Sequence, residues 1–165
     1  MVDCLHVLAT ALGADERGRA VEAALAPRLT ALRARNLPPL SAVSYTNLGT
    51  GGWVAGSGTT ADILFALVGL ENAAARAHLV GHREIDLEGL LSLAPDVIVV
   101  GAPDEKEGIV STRAYLESQP VLEPLSALRR DLVVSLPQEL FTTASTELVT
   151  AAERLAAELD RRLER

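Results

Sequence analysis

The sequence predicts an α/β domain, a three-layer sandwich around a short, mostly parallel sheet, preceded by a long helix. Three observations carry that expectation. Short runs rich in valine or isoleucine, Ala42 to Tyr45, Val97 to Val100 and Leu132 to Leu136, read as strands. Helical patterns separate them, and a strand-helix alternation implies parallel pairing. A long helical pattern over residues 15 to 35 stands in front of the first strand.

In that first pattern Val21, Leu25, Leu29 and Leu32 fall near one face, and Arg33 and Arg35 sit at the negative end of the helix dipole. Pro38 and Pro39 end it. Pro27 lies inside it, where the missing amide hydrogen either kinks one helix or divides two. Further helices are expected at about Thr60 to Val68, Leu87 to Leu93, Thr112 to Glu117 and Ala144 to Leu163. The last has an apolar seam of Leu148, Ala152, Leu155, Leu159 and Leu163. Pro103 to Val110, with Asp104, Glu105, Lys106, Glu107 and Gly108, reads as a solvated loop. The expected division is a helical segment over 1–37 and an α/β lobe over 38–165.

At 165 residues the chain suits one compact domain, burying roughly two-thirds of its unfolded surface. Hydrophobic residues at 48% and charged residues at 22% place it among globular proteins, and no run approaches the roughly 18 apolar residues of a membrane span. The formal charge is −7, with a single lysine, Lys106, and arginines dispersed over helices. That leaves no basic stripe to neutralise phosphates, so nucleic acid is not an expected partner. Cys4 is the only cysteine, so no internal disulfide can form. With His6 in an apolar segment and no acid paired to it, Cys4 reads as a buried structural thiol. The start, MVDCLHVLATALGADERGR, does not read as a secretion signal, and the chain as written is expected in the cytoplasm.

In open parallel sheets ligands bind beyond the carboxyl ends of the strands, which points to the loops Thr46 to Gly58, Gly101 to Val110 and Pro137 to Thr143. The first carries Asn47, Gly49, Gly51, Gly52 and Trp53, and its glycines permit close approach or positive φ. Trp53 serves equally as a core residue or as a flat ligand face, and its glycine-rich setting favours the ligand. In the third loop Gln138, Glu139 and Phe141 could contact a ligand; Phe141 plugging the core is the competing account. The amides of Gly56 to Thr60 could hold an anion at a helix start, but a simple N-cap by Thr59 or Ser57 is favoured about two to one. No lysine follows the glycines, so this is not a Walker loop. His78 and His82, four apart before Glu84 and Asp86, superficially resemble a metal cluster; Gly81 weakens the helix that would align them, and surface or capping histidines are favoured. Asp96 reads as a turn residue at the sheet end away from the ligand. No catalytic residue, metal site or cofactor is expected.

The ordered set LGADERGRA, VAGSGTTADILFALVGLENAA, EIDLEGLLSLAPDVIVV and LVVSLP before a last amphipathic helix resembles the C-terminal part of class III substrate-binding proteins of ABC importers, those for iron–siderophore complexes, haem and cobalamin. The resemblance implies two α/β lobes joined by a rigid helix, here Ala14 to Arg35, with the ligand between them. It implies a non-catalytic, extracytoplasmic receptor for a metal chelate or tetrapyrrole, with Trp53 and Phe141 as apolar contacts and Asn47 and Gln138 as hydrogen-bonding ones. It also implies docking on a permease through an acid near the start of this lobe's first helix. Gly58 and Thr59 occupy that neighbourhood and Asp62 is the nearest acid. The family's first lobe and export signal are absent from the sequence, which suggests an excised or truncated half with weak ligand binding. A small flavodoxin-like nucleotide- or phosphate-binding enzyme domain is the alternative, and self-association through the exposed cleft a third reading.

Overall fold

A computed structural model describes residues 2–47, 51–102 and 111–164, without the side chains of residues 2–4 and 102. The expected loop at Pro103 to Val110, Gly49 and the thiol of Cys4 lie outside the described residues.

Val2–Ala11 (α1) and Asp15–Arg33 (α2) form a helical hairpin. The two helices meet at small residues: a Cβ on Gly18 would stand 2.5 Å from that of Ala9. Pro27 does not divide α2, which runs as one helix of 19 residues. Contacts on both sides of the proline explain this. Leu25, Leu29 and Leu32 are buried in the core, while Arg28 donates to both carboxylate oxygens of Glu153 at 2.8 and 2.7 Å and to the Thr150 hydroxyl at 2.9 Å.

Six strands form the sheet: Ser41–Asn47 (β1), Gly52–Ala55 (β2), Glu71–Asn72 (β3), His82–Ile85 (β4), Val97–Ala102 (β5) and Val133–Pro137 (β6). Their order is β4-β2-β1-β5-β6, with β3 beside the first residues of β1. The three strands legible in the sequence are the parallel centre, β1, β5 and β6. β2 pairs antiparallel with β1 and β4, so the expected loop Thr46 to Gly58 is in large part a hairpin. Gly52 lies under the Tyr45 ring and Val54 is buried opposite Tyr45, and these contacts draw GWVA into the sheet despite the poor strand formers glycine and alanine at its ends.

Helices cover both faces. On one lie α2, Thr60–Val68 (α3) and Glu147–Leu163 (α9), packed around Phe65, Val97, Val99, Val134, Leu155 and Leu159. On the other, Ala73–Arg76 (α4), Leu87–Leu93 (α5), Thr112–Glu117 (α6) and Ser126–Arg129 (α7) enclose Val43, Tyr45, Ile98, Val100, Leu90 and Leu116. Alternation along β1 and β5 feeds the two cores in turn. The last helix starts at Glu147, not Ala144, because the hydroxyls of Thr143 and Ser145 accept from the amides of Ser145 and Glu147 and shape a turn instead. Its seam is as expected, with Leu148, Ala152, Leu155 and Leu159 buried and Leu163 packed alongside.

Asp96 fixes the amino ends of β1 and β5. Its Oδ2 accepts from the Ser41 amide and hydroxyl, both at 3.0 Å, and its own amide donates to the Ser41 carbonyl at 3.0 Å. Among the described residues no helix is long and apolar enough to cross a membrane.

Candidate functional site

The parallel strands end together at Asn47, Ala102 and Pro137, with Ala102 in register with Pro137. Trp53 pairs across strands with Thr46 and Glu84, near the end of β1, and is 36% exposed. Its neighbour Val54 faces the core with Tyr45, so the indole projects from the opposite face, the one covered by α2, α3 and α9. Gly101 shares that face, being two residues beyond Val99. Gln138 and Phe141 close over it: a Cβ on Gly101 would lie 2.2 Å from Gln138 Oε1 and 3.0 Å from Phe141 Cδ1. The fold therefore brings Asn47, Trp53, Gln138 and Phe141 to one edge.

Two details differ from expectation. Trp53 stands on a strand, not in a loop, which fixes its backbone by ladder bonds on both sides. The third loop opens with a short helix, Gln138–Phe141 (α8), which leaves Gln138 exposed and Phe141 half-buried against the core. Phe141 packs against the core as the competing account has it, with part of the ring left exposed.

Asp62 stands apart, in the first turn of α3. Its carboxylate accepts from the Gly58 amide at 3.2 Å and from Asn72 Nδ2 at 3.0 Å. Asn72 also donates to the Ala55 carbonyl at 3.1 Å, and these bonds tie the helix start to β2 and β3. The same region disfavours the anion site. Gly56 and Ser57 spend their amides on the Gly81 and Leu79 carbonyls, and Thr59 caps α3 by accepting from the Asp62 amide. Three of the five amides that could have held a phosphate, those of Gly56, Ser57 and Gly58, are used in the fold, the last by a carboxylate that would repel an anion.

His78 and His82 do not share a helix. His78 sits in a turn with φ +61, and His82 begins β4 opposite Ala55. Among the described residues no three His, Cys, Asp or Glu side chains are placed to hold a metal ion.

On the other face of the same edge lies a depression of about 490 Å³, lined by Tyr45, Gly51, Gly52, Glu84, Ile85, Asp86, Leu87 and Tyr115. The strand β4 brings Ile85 there, the N-cap of α5 brings Asp86, and α6 brings Tyr115, while Glu84, in register with Trp53, borders it at the rim beside Gly51. A Cβ on Gly52 would stand 2.3 Å from the Tyr45 hydroxyl, so only glycine permits this ring position. Burial, reinforced by Tyr115, pushes the Tyr45 phenol up to about 12, which keeps it a neutral donor at physiological pH. Reading along the chain missed Tyr45, Tyr115 and Glu84 as site residues. One signal was present: the chain has two tyrosines, and both meet here.

Comparison with solved structures finds the same fold. The haem-binding protein HutB of Vibrio cholerae is 20% identical, with a TM-score of 0.75 over 92% of this chain and 59% of that one. The haem-binding protein BhuT, solved with two haems, is 25% identical, with a TM-score of 0.75 over 96% and 61%. A protein from Saccharomonospora viridis described as an ABC-type Fe3+-hydroxamate transport system is 23% identical, with a TM-score of 0.78 over 96% and 55%. The chain thus spans less than two-thirds of the length of these relatives. Curated proteins give no significant sequence match. The sequence profile of the family described as periplasmic binding protein matches residues 2–140, most of the length, and the chain belongs to that family.

Proposed function

We propose that this chain is the second lobe, with its interdomain helix α2, of a non-catalytic ABC-importer receptor for an iron complex, either siderophore or haem, or for cobalamin. The observation that carries it is that Trp53, Asn47, Gln138 and Phe141 all stand at or near the carboxyl ends of the parallel strands, in a sheet of this family. An exposed indole and a half-buried phenyl ring offer apolar contact to a bulky chelate, and the two amides offer hydrogen bonds. The neighbours described as haem-binding or as serving hydroxamate transport support the cargo class. The division at residues 37 and 38 belongs to this reading, as do extracytoplasmic residence, docking on a permease near Asp62 and weak self-association of a lone lobe.

With one wall of a cleft supplied, this chain should bind its cargo more weakly than micromolar. Titration of labelled protein with a ferric trihydroxamate, haem and cyanocobalamin, followed by amide and indole NMR shifts, tests the reading. Shifts should cluster at Asn47, Trp53, Gln138 and Phe141, and Trp53→Ala should abolish them while the rest of the spectrum stays native. Shifts confined elsewhere, or micromolar or tighter affinity of the lone chain, would overturn it.

A further inference from the structure

The central ladder of the sheet opens before its strands end. β1 and β5 are in register from Ala42 with Val97 to Ser44 with Val99, and among the described residues no ladder pair joins them beyond that point. Each strand nevertheless continues, β1 to Asn47 against β2 and β5 to Ala102 against β6. Tyr45 to Asn47 and Val100 to Ala102 are therefore laddered on their outer sides, and the sheet forks at its carboxyl edge. The fork falls where the chain order reverses, since β2 follows β1 to one side and β6 follows β5 to the other. Crevices of open α/β sheets arise at such switch points.

Strand alternation assigns the two sides of the fork. Tyr45 and Val100, both buried, belong to the core under α4 to α7 and seal the fork from below. Thr46 and Gly101 face the other way, in line with Ala42 on β1 and with Val97 and Val99 on β5, and both are half-buried. Gly101 contributes no side chain and Thr46 a short one, so the fork is a blind slot and not a packed seam. Trp53 stands beside Thr46 on β2, and Gln138 and Phe141 stand over Gly101. Positions two strands apart in a sheet are about 10 Å from each other, so the indole and the Gln138 amide flank the slot from either side.

We infer, on the receptor reading above, that the fork between β1 and β5 receives an uncharged hydrogen-bonding arm of the cargo, with Thr46 as a contact residue and Gly101 as the residue that keeps the slot open. Backbone released from a ladder presents N–H donors and C=O acceptors side by side, and a group such as an amide, which both donates and accepts, matches it. The Thr46 hydroxyl adds a third partner of the same kind. A charged arm finds no counter-charge among the described side chains that flank the slot, which are Trp53, Thr46, Gln138 and Phe141. An arm that cannot hydrogen-bond would strand these groups as it covers them, and that penalty is what discriminates.

NMR titration with a ferric trihydroxamate, haem and cyanocobalamin, scored on whichever shifts the Trp53 indole, tests the slot. Thr46→Val keeps the shape and suits a strand but lacks the hydroxyl, and should weaken binding of that cargo by about fivefold. Thr46→Ser keeps the hydroxyl and should stay within about twofold of wild type. Gly101→Ala places a Cβ 2.2 Å from Gln138 Oε1, the free end of a flexible side chain, so the urea midpoint should change little. Its affinity should fall by about fivefold or more, because the slot is narrowed. Thr30→Val, on an exposed turn of α2, is the matched control and should leave affinity unchanged. Unchanged affinity in either Thr46→Val or Gly101→Ala while the indole still shifts, or a loss in Thr46→Val that Thr46→Ser shares, overturns the inference and leaves the receptor reading standing. If none of the three cargoes shifts the indole, the receptor reading falls first and takes this one with it.

Discussion

The two ends of the sheet are built on opposite principles. At the amino end polar groups are consumed by the fold: Asp96 and Ser41 exchange three bonds at 3.0 Å, Asn72 serves Ala55, Asp62 and the start of α4, and Arg113 bridges Asp131 and the Val133 carbonyl. At the carboxyl end the chain leaves an indole 36% exposed, the Gln138 side chain exposed and a phenol at the wall of a depression. One end is closed by its own hydrogen bonds and the other leaves side chains exposed, which suits the binding edge proposed above.

The largest effect should come from breaking the closed end. Asp96→Ala removes the acceptor of a buried amide and hydroxyl, since Ser41 is only 6% exposed. A cost of about 2–3 kcal/mol is expected from losing bonds to a charged acceptor and stranding a buried donor. Urea denaturation measures it, and NMR shifts on adding chelate should still fall at the carboxyl edge. An equal loss of binding and stability would mean that the two ends do not divide the work.

Gly52→Ala tests the open end. The new Cβ would stand 2.3 Å from the Tyr45 hydroxyl and 2.5 Å from its ring, so the ring must move. Displacing a well-packed ring costs about 1–3 kcal/mol. On the proposed reading, chelate-induced NMR shifts should weaken by more than the stability change accounts for, because the moved ring reshapes the edge that carries Asn47 and Trp53. Binding unchanged at reduced stability would make Gly52 and Tyr45 mere packing.

How far the sequence revealed this division depends on how local each signal was. The central strands were legible because β5 opens on a continuous apolar run and β1 and β6 hold short apolar runs broken by one serine each, and α9 because its seam repeats at helical spacing. Asp96 was legible as a turn residue at the closed end. β2 and β4 were not: GWVA and HREI become strands only through each other and β1, a pairing that no local pattern records. The edge residues Asn47, Trp53, Gln138 and Phe141 followed from strand ends, which are local. The depression needed Tyr45, Glu84, Asp86 and Tyr115 to converge from four elements, and that convergence depends on the unrecognised hairpin. The unbroken course of α2 through Pro27 was hidden for the same reason, since the contacts that hold it lie more than a hundred residues away at Thr150 and Glu153.

Those distant contacts give the smallest effect and sharpen the comparison from outside both ends. Arg28 and Glu153 join α2 to α9 through side chains 37% and 40% exposed, so water competes for the pair. Glu153→Gln should cost less than about 1 kcal/mol, well below the loss at Asp96. The hydrogen bond from Arg28 holds the Glu153 carboxyl below its ordinary value of 4.5. A depressed carboxylate contributes stability that is present above its unfolded pKa and lost as pH falls through the folded one. The gap between wild type and Glu153→Gln should therefore be full at pH 7, shrink as pH drops below about 4.5, and close in stronger acid. A gap that persisted in acid would assign the effect of Glu153 to packing, and polar contact on this outer seam would then differ in kind from the charged staple at Asp96.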